Sequence, residues 1–180
     1  MIWLVLGVLL WSAAHLWKRV APAHRAGFGD AGKKIVAAAT ILSIVLMVIG
    51  YRAWDGTFYY GREPWRVGVN NILMVLAFYL FAAAGAKTRI TRWIAHPQLT
   101  AFSAWCVAHL FVNGDTPSFV LWGGLLVWAV GEIAILSARE VRGPYHAVPV
   151  RKEFTALIAA AVAFVVVSAI HLWLGYNPFG

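Results

Sequence analysis

The sequence predicts an all-α integral membrane protein, a bundle of about six transmembrane helices forming a single domain over residues 1–180. Three observations predict it. The chain is 62% hydrophobic and only 12% charged, with a mean hydropathy of +0.74, far from the composition of a water-soluble domain. Apolar runs recur at about the length a bilayer requires, joined by short polar connections. The basic residues fall almost wholly in alternate connections, the pattern left by insertion with positive loops retained inside.

In order, the runs cover residues 2–20, 35–51, 67–86, 97–112, 118–138 and 154–175. The first begins at Ile2 with no basic residue before it and exceeds the core of a secretory signal, so it reads as a retained helix. The second follows Lys33 and Lys34 and carries Ala37 to Ala39; the fourth opens on Pro97, which suits a first helical turn. The fifth contains Gly123, Gly124 and Gly131, and the sixth Ala159 to Ala161. Such small residues let helix backbones approach closely, which is what favours association where lipid supplies little hydrophobic drive.

Loop charges set the expected orientation. Lys18, Arg19, Arg25, Lys33 and Lys34 follow the first run; Lys87, Arg89 and Arg92 follow the third; Arg139, Arg142, Arg151 and Lys152 follow the fifth. Of the 15 cations, only Arg52, Arg62 and Arg66 lie on the other side, in a loop that also carries Asp55 and Glu63. The first, third and fifth loops are therefore expected inside, with both termini outside. Interfacial aromatics agree: Trp3, Trp54, Tyr59, Tyr60, Trp65, Trp173 and Tyr176 fall at the outer surface, Trp17 and Trp93 at the inner one. The stretch 87–93 alternates basic and apolar residues and reads as a short segment along the inner interface.

A formal net charge of +8 raises the question of a nucleic-acid partner. Cations divided among short loops make topology and anionic head groups the expected reading, with the lipid bilayer as partner and no nucleic acid. The one cysteine, Cys106, can form no internal disulfide. No hydrolytic triad, phosphate loop or zinc cluster is present.

Ionisable side chains within the apolar runs cost about 2.5 to 3.5 kcal/mol each on insertion scales, so each needs a reason. They are His15, His109, Glu132 and His171. Neutral imidazole is a common ligand of haem iron, and helical bundles hold cofactors between side chains on facing helices. Cys106 and His109, three apart, share a helical face. Lys18 and Arg19, one turn beyond His15, match the cations that haem propionates need, or simply snorkel. Glu132 can fix an imidazole tautomer or pair with an arginine, and both roles stay open. His24 and His146 are expected to have no role, and His96 is read as a helix cap before Pro97.

The run Ala95-His96-Pro97-Gln98-Leu99, continuing through Trp105-Cys106-Val107-Ala108-His109-Leu110 to Asn113-Gly114-Asp115, resembles the NnrU family. His15 with its basic helix end, and the closing His171-Leu172-Trp173-Leu174-Gly175, extend the likeness over nearly the whole chain. That resemblance implies a small bacterial inner-membrane protein associated with denitrification and with nitrite and nitric oxide metabolism, in which the outside termini expected from loop charge would be periplasmic. The same stretch is similar to the 15-cis-zeta-carotene isomerase of plants and cyanobacteria. This second likeness implies haem b held by His15 and His109, with Cys106 as an alternative ligand; the isomerase activity is not carried across.

His15 should lie about 7 Å from the inner end of its helix and His109 about 18 Å, an offset that a tilted porphyrin spans. His15 with His96, or His109 with His171, are alternative axial pairs. The leading expectation is a haem-b protein whose iron meets nitric oxide or another small ligand, or passes electrons. Competing readings are an isomerase-like enzyme acting on a lipophilic carotenoid or isoprenoid, and a cofactor-free membrane assembly factor. A membrane methyltransferase fits less well, because Ala95 stands where its pattern has arginine.

Overall fold

The computed structural model describes residues 1–139 and 147–179, so Arg142 and His146 lie outside the described residues. Among the described residues the fold is all-α apart from one two-stranded ladder. In chain order the helices are α1 (Ile2–Val20), α2 (Pro22–Gly27), α3 (Gly29–Arg52), α4 (Pro64–Ala86), α5 (Pro97–Val112), α6 (Thr116–Ser118), α7 (Gly124–Ser137) and α8 (Val150–Trp173). Strand β1 (Phe58–Tyr60) precedes α4 and pairs with β2 (Gly114–Asp115). A π-helical turn, Phe119–Gly123, joins α6 to α7, so Thr116–Ser137 forms one continuous rod.

Among the described residues, four helices are long and apolar enough to cross a membrane: Gly29–Arg52, Pro64–Ala86, Thr116–Ser137 and Val150–Trp173. This is a multi-pass membrane protein. The other two expected spans are helices at their expected bounds, but neither qualifies by the same measure. α1 carries Ser12, His15, Lys18 and Arg19 in its second half, which dilutes its apolar character. α5 has 16 residues, and at a rise of ~1.5 Å per residue it covers ~24 Å of a hydrocarbon core ~30 Å thick. These two helices are the ones that carry His15 and His109.

Several helices outrun their apolar cores. α3 begins six residues before the hydrophobic run, its first turn held by Lys33 Nζ donating to Asp30 at 2.9 Å. α8 begins at Val150 behind Pro149. Hydropathy marks where side chains meet lipid, whereas a helix continues as long as its backbone bonds do. The first connection, expected as a loop, contains α2 with Pro22 in its first turn. Segment 87–93 contains a 3-10 helix, Arg89–Arg92, entered through Lys87 in a left-handed conformation at φ 56°.

The chain divides into two compact units, residues 1–59 with 114–128 and residues 60–113 with 129–180. In the first, α1 and α3 run antiparallel with glycine at their contacts. A β-carbon on Gly50 would overlap the Leu4 backbone, and one on Gly7 would stand 2.8 Å from the Met47 nitrogen and the Ser43 carbonyl. Leu4, Val8, Ser43 and Met47 are buried there. The serine hydroxyls on these helices bond to their own backbone, Ser12 to Val8 O at 2.8 Å and Ser43 to Thr40 O at 2.7 Å, so neither is left bare in an apolar setting. At the Leu4 end, Tyr51 donates to Ser118 Oγ at 2.8 Å and Ser118 Oγ to Asp115 at 3.0 Å; Asp115 also caps α6 through Ser118 N at 2.8 Å.

In the second unit α4 packs against both α5 and α8. Phe78 meets Phe164 edge-on at 5.6 Å, and Glu153 accepts from Arg89 N at 2.8 Å. As one helix advances by eleven residues its partner retreats by eleven, the signature of antiparallel rods. Tyr60 donates to Leu110 O at 2.5 Å, tying the approach to α4 to the end of α5. Many buried positions are alanine, Ala77, Ala83, Ala101, Ala108, Ala156 and Ala160 beside the larger Leu80, Val67 and Val112, while Ile72, Val75, Ile158, Val162 and Val165 are exposed. An apolar exterior over a small-residue interior is the inverse of a soluble bundle and is suited to lipid.

Replacing Gly50 by valine should push α1 from α3 and lower stability by on the order of 1–3 kcal/mol, read as a fall in Tm in detergent. Gly85→Ala, where a β-carbon meets nothing within 4 Å, should not lower it.

Candidate functional site

His15 lies in the penultimate turn of α1. Its Nδ1 is 2.8 Å from the Trp11 carbonyl oxygen, one helical turn back. A carbonyl has no proton to give, so the bond places the ring proton on Nδ1 and leaves the lone pair on Nε2. The imidazole stacks on Trp11, centroids 4.3 Å apart at 29°, and meets Trp128 at 5.0 Å and 61°. Trp11 and Trp128 stand perpendicular to each other at 5.5 Å. The ring is thus held by one hydrogen bond and two aromatic walls. Lys18, exposed, and Arg19, half-buried, follow one turn later.

In the second unit His109 is half-buried near the end of α5 and Cys106 is wholly enclosed one turn before it. Asn113 Nδ2 donates to the His109 carbonyl at 2.9 Å and approaches His109 Nδ1 at 3.3 Å. With an amide donor at Nδ1, the ring proton belongs on Nε2. Turning the Asn113 amide over would offer Oδ1 to an Nδ1 proton and release Nε2 as a lone pair. His109 is within electrostatic reach of His171 and Arg62, so the second unit brings those three together. His171 repeats the geometry of His15, its Nδ1 2.8 Å from the Val167 carbonyl oxygen.

Glu132 is buried at 5% exposure on the stripe of α7 that also buries Leu125, Trp128 and Ala129. His96 occupies the N-cap position of α5, but no side-chain cap bond forms there. His24 is exposed and accepts from Trp17 Nε1 at 2.9 Å. Sequence reasoning overlooked Trp128 and gave Asn113 no task. Asn113 was legible as the residue four beyond His109, whereas Trp128 is far from His15 in sequence and only folding makes it a wall.

Donor chemistry tests what this arrangement can hold. Among the described residues no three His, Cys, Asp or Glu side chains gather in a way that could hold a bare metal ion. A porphyrin supplies the equatorial ligands itself and asks the protein for axial donors alone, so single imidazoles with a fixed Nδ1 fit it.

A family model described as NnrU protein matches residues 3–178. The chain belongs to the NnrU family. That NnrU match takes in α1 through α8, and with them every histidine discussed above. No curated protein and no solved structure matches this NnrU chain.

Because Cys106 is fully enclosed, its thiol should resist maleimide in the folded protein and react with one equivalent after denaturation. Rapid labelling of native protein, followed by mass spectrometry, would contradict that packing.

Proposed function

We propose that this NnrU protein is a six-pass bacterial inner-membrane protein that binds haem b between the imidazoles of His15 and His109 and acts in nitrite and nitric oxide metabolism through redox or small-ligand chemistry. The observation that carries the reading is His15 itself. In an apolar helix, its Nδ1 is tied to the Trp11 carbonyl and its ring is held by two indoles, leaving Nε2 as the available donor. An oriented, half-buried imidazole within an apolar helix is costly in lipid unless Nε2 has a task. His109 would be the second donor once the Asn113 amide turns over to accept the Nδ1 proton and frees Nε2, with Cys106 as an alternative ligand. Lys18 and Arg19 would face the propionates, and Glu132 would stand behind a ligand as an acceptor. His171 is the alternative partner for His109.

Bound haem would supply one-electron chemistry and affinity for nitric oxide. The chain's own residues would orient the donor imidazoles, Trp11 and Trp128 by walling His15 and the Trp11 carbonyl by fixing its Nδ1.

Six passes are supported by packing. α1 lies antiparallel along the candidate span α3, from Leu4 beside Gly50 to Gly7 beside Met47, so it shares α3's depth. α5 lies along the candidate span α4 in the same way, with Phe111 at 6.2 Å from Trp65. Loop charge then places both termini in the periplasm.

Purified protein should show a Soret band that His15→Ala and His109→Ala each abolish or shift, whereas His24→Ala should be silent. His171→Ala, measured alongside, distinguishes the alternative pair. Adding carbon monoxide or nitric oxide to the dithionite-reduced protein should change its absorbance; an unchanged spectrum excludes small-ligand chemistry at the iron, and colourless haem-replete preparations exclude the cofactor. Periplasm-active reporters fused at either terminus should both be active if the orientation is right.

A further inference from the structure

Where α1 leaves the bilayer, three kinds of surface follow one another in the first unit. The lowest is an apolar groove of about 480 Å³ between α1 and α3, lined by Leu10, Ala13, Leu16, Trp17, Val20 and Ala39 among others. It exists because alanines stand where the two helices face each other, leaving a furrow that larger side chains would fill. Its one polar lining group, the Trp17 indole nitrogen, already donates to His24, so the groove offers a guest hydrocarbon alone.

Next comes an aromatic collar. Ala21 breaks α1 at φ −129°, Pro22 starts α2, and the turn gathers the rings of Trp17, His24 and Phe28, tilted or edge-on, within 5.3 to 5.6 Å of one another. Above it are cations. The Arg25 guanidinium carbon lies 5.7 Å from the Trp17 ring, and Nη1 donates to Gly29 O at 3.2 Å while further N–H groups of the fork remain for an acceptor. Residues 18–34 hold Lys18, Arg19, Arg25, Lys33 and Lys34 against one carboxylate, Asp30, which pairs with Lys33.

We infer that this elbow is a binding site for one anionic phospholipid, an acyl chain lying in the α1–α3 groove and the phosphate meeting Arg25 beside Trp17. The order apolar, aromatic, cationic matches the order tail, glycerol, phosphate along such a lipid. Charge selects the head group, since a phosphate with no ammonium partner is favoured by surplus cations. The site does not depend on haem and would exist in the apoprotein.

The test uses the full chain purified in detergent, with retention of phosphatidylglycerol and of phosphatidylcholine of identical acyl chains measured by native mass spectrometry. One phosphatidylglycerol should be retained at least fivefold more tightly than phosphatidylcholine, since each cation near a lipid surface is worth about fivefold. Arg25→Gln should remove about fivefold of that preference, and Ala13→Phe, which fills the groove from an exposed position, should weaken both lipids. Far-UV circular dichroism confirms folding, with Ala39→Leu as the second groove variant if Ala13→Phe fails. Equal retention of the two lipids by the wild type, or undiminished phosphatidylglycerol retention in either the charge or the groove variant, overturns the site. Displacement of the lipid by soluble glycerol phosphate would also overturn it, because the head group alone would then suffice.

Discussion

Close backbone approach between helices is the constraint on which the rest of this molecule depends. In hydrocarbon, exposing an isoleucine is no loss, so helices gain little by hiding apolar faces and must be held by contact, by shape and by a few polar bonds. Gly7 and Gly50 supply the contact in the first unit, where a single β-carbon would collide with Met47 or Leu4. Alanines take that part in the second, at Ala77, Ala83, Ala101 and Ala108. Polar bonds sit mostly at the ends: Tyr51 through Ser118 to Asp115, Tyr60 to Leu110, Arg89 to Glu153. Small residues therefore do in lipid what large ones do in a water-soluble core.

The same close packing makes the two unusual helices tolerable. α1 is burdened with His15 and two cations, and α5 is short, yet each lies along a longer, more apolar neighbour. A helix that would insert poorly alone is accepted when its polar face is turned toward protein, and such helices are where a membrane bundle can place chemistry. His15 illustrates the arrangement: hydrogen-bonded within its own helix, walled by Trp11 and Trp128, and left with one nitrogen to offer. His171 repeats that backbone bond, and His109 differs through Asn113, so the imidazoles are chemically distinct though alike in sequence context.

At the C-terminal end of α1, just beyond His15, the chain turns within a few residues from apolar groove to aromatic collar to guanidinium. Loop charge read from sequence explained these cations by orientation alone. Once α2 forms and carries Arg25 back over Trp17, the same charge acquires a position relative to a furrow, and a lipid of one sign becomes the fitting occupant.

Composition, run length and loop charge by themselves determined that the chain lives in a membrane, that it is helical, where α1, α4, α5 and α8 lie to within a few residues, and that His15 and His109 need a reason to be there. These properties are local, since each depends on whether a stretch of side chains prefers lipid or water. Tertiary structure decided what local preference cannot express. Helix ends came with it: α5 stops at 16 residues, whereas α3 begins six residues ahead of its apolar stretch because its backbone bonds continue. Trp128 became a wall of the His15 site, Cys106 was enclosed while His109 stayed half-exposed, and His171 came within electrostatic reach of His109, because packing joins residues far apart in the chain and assigns each helix face its neighbour.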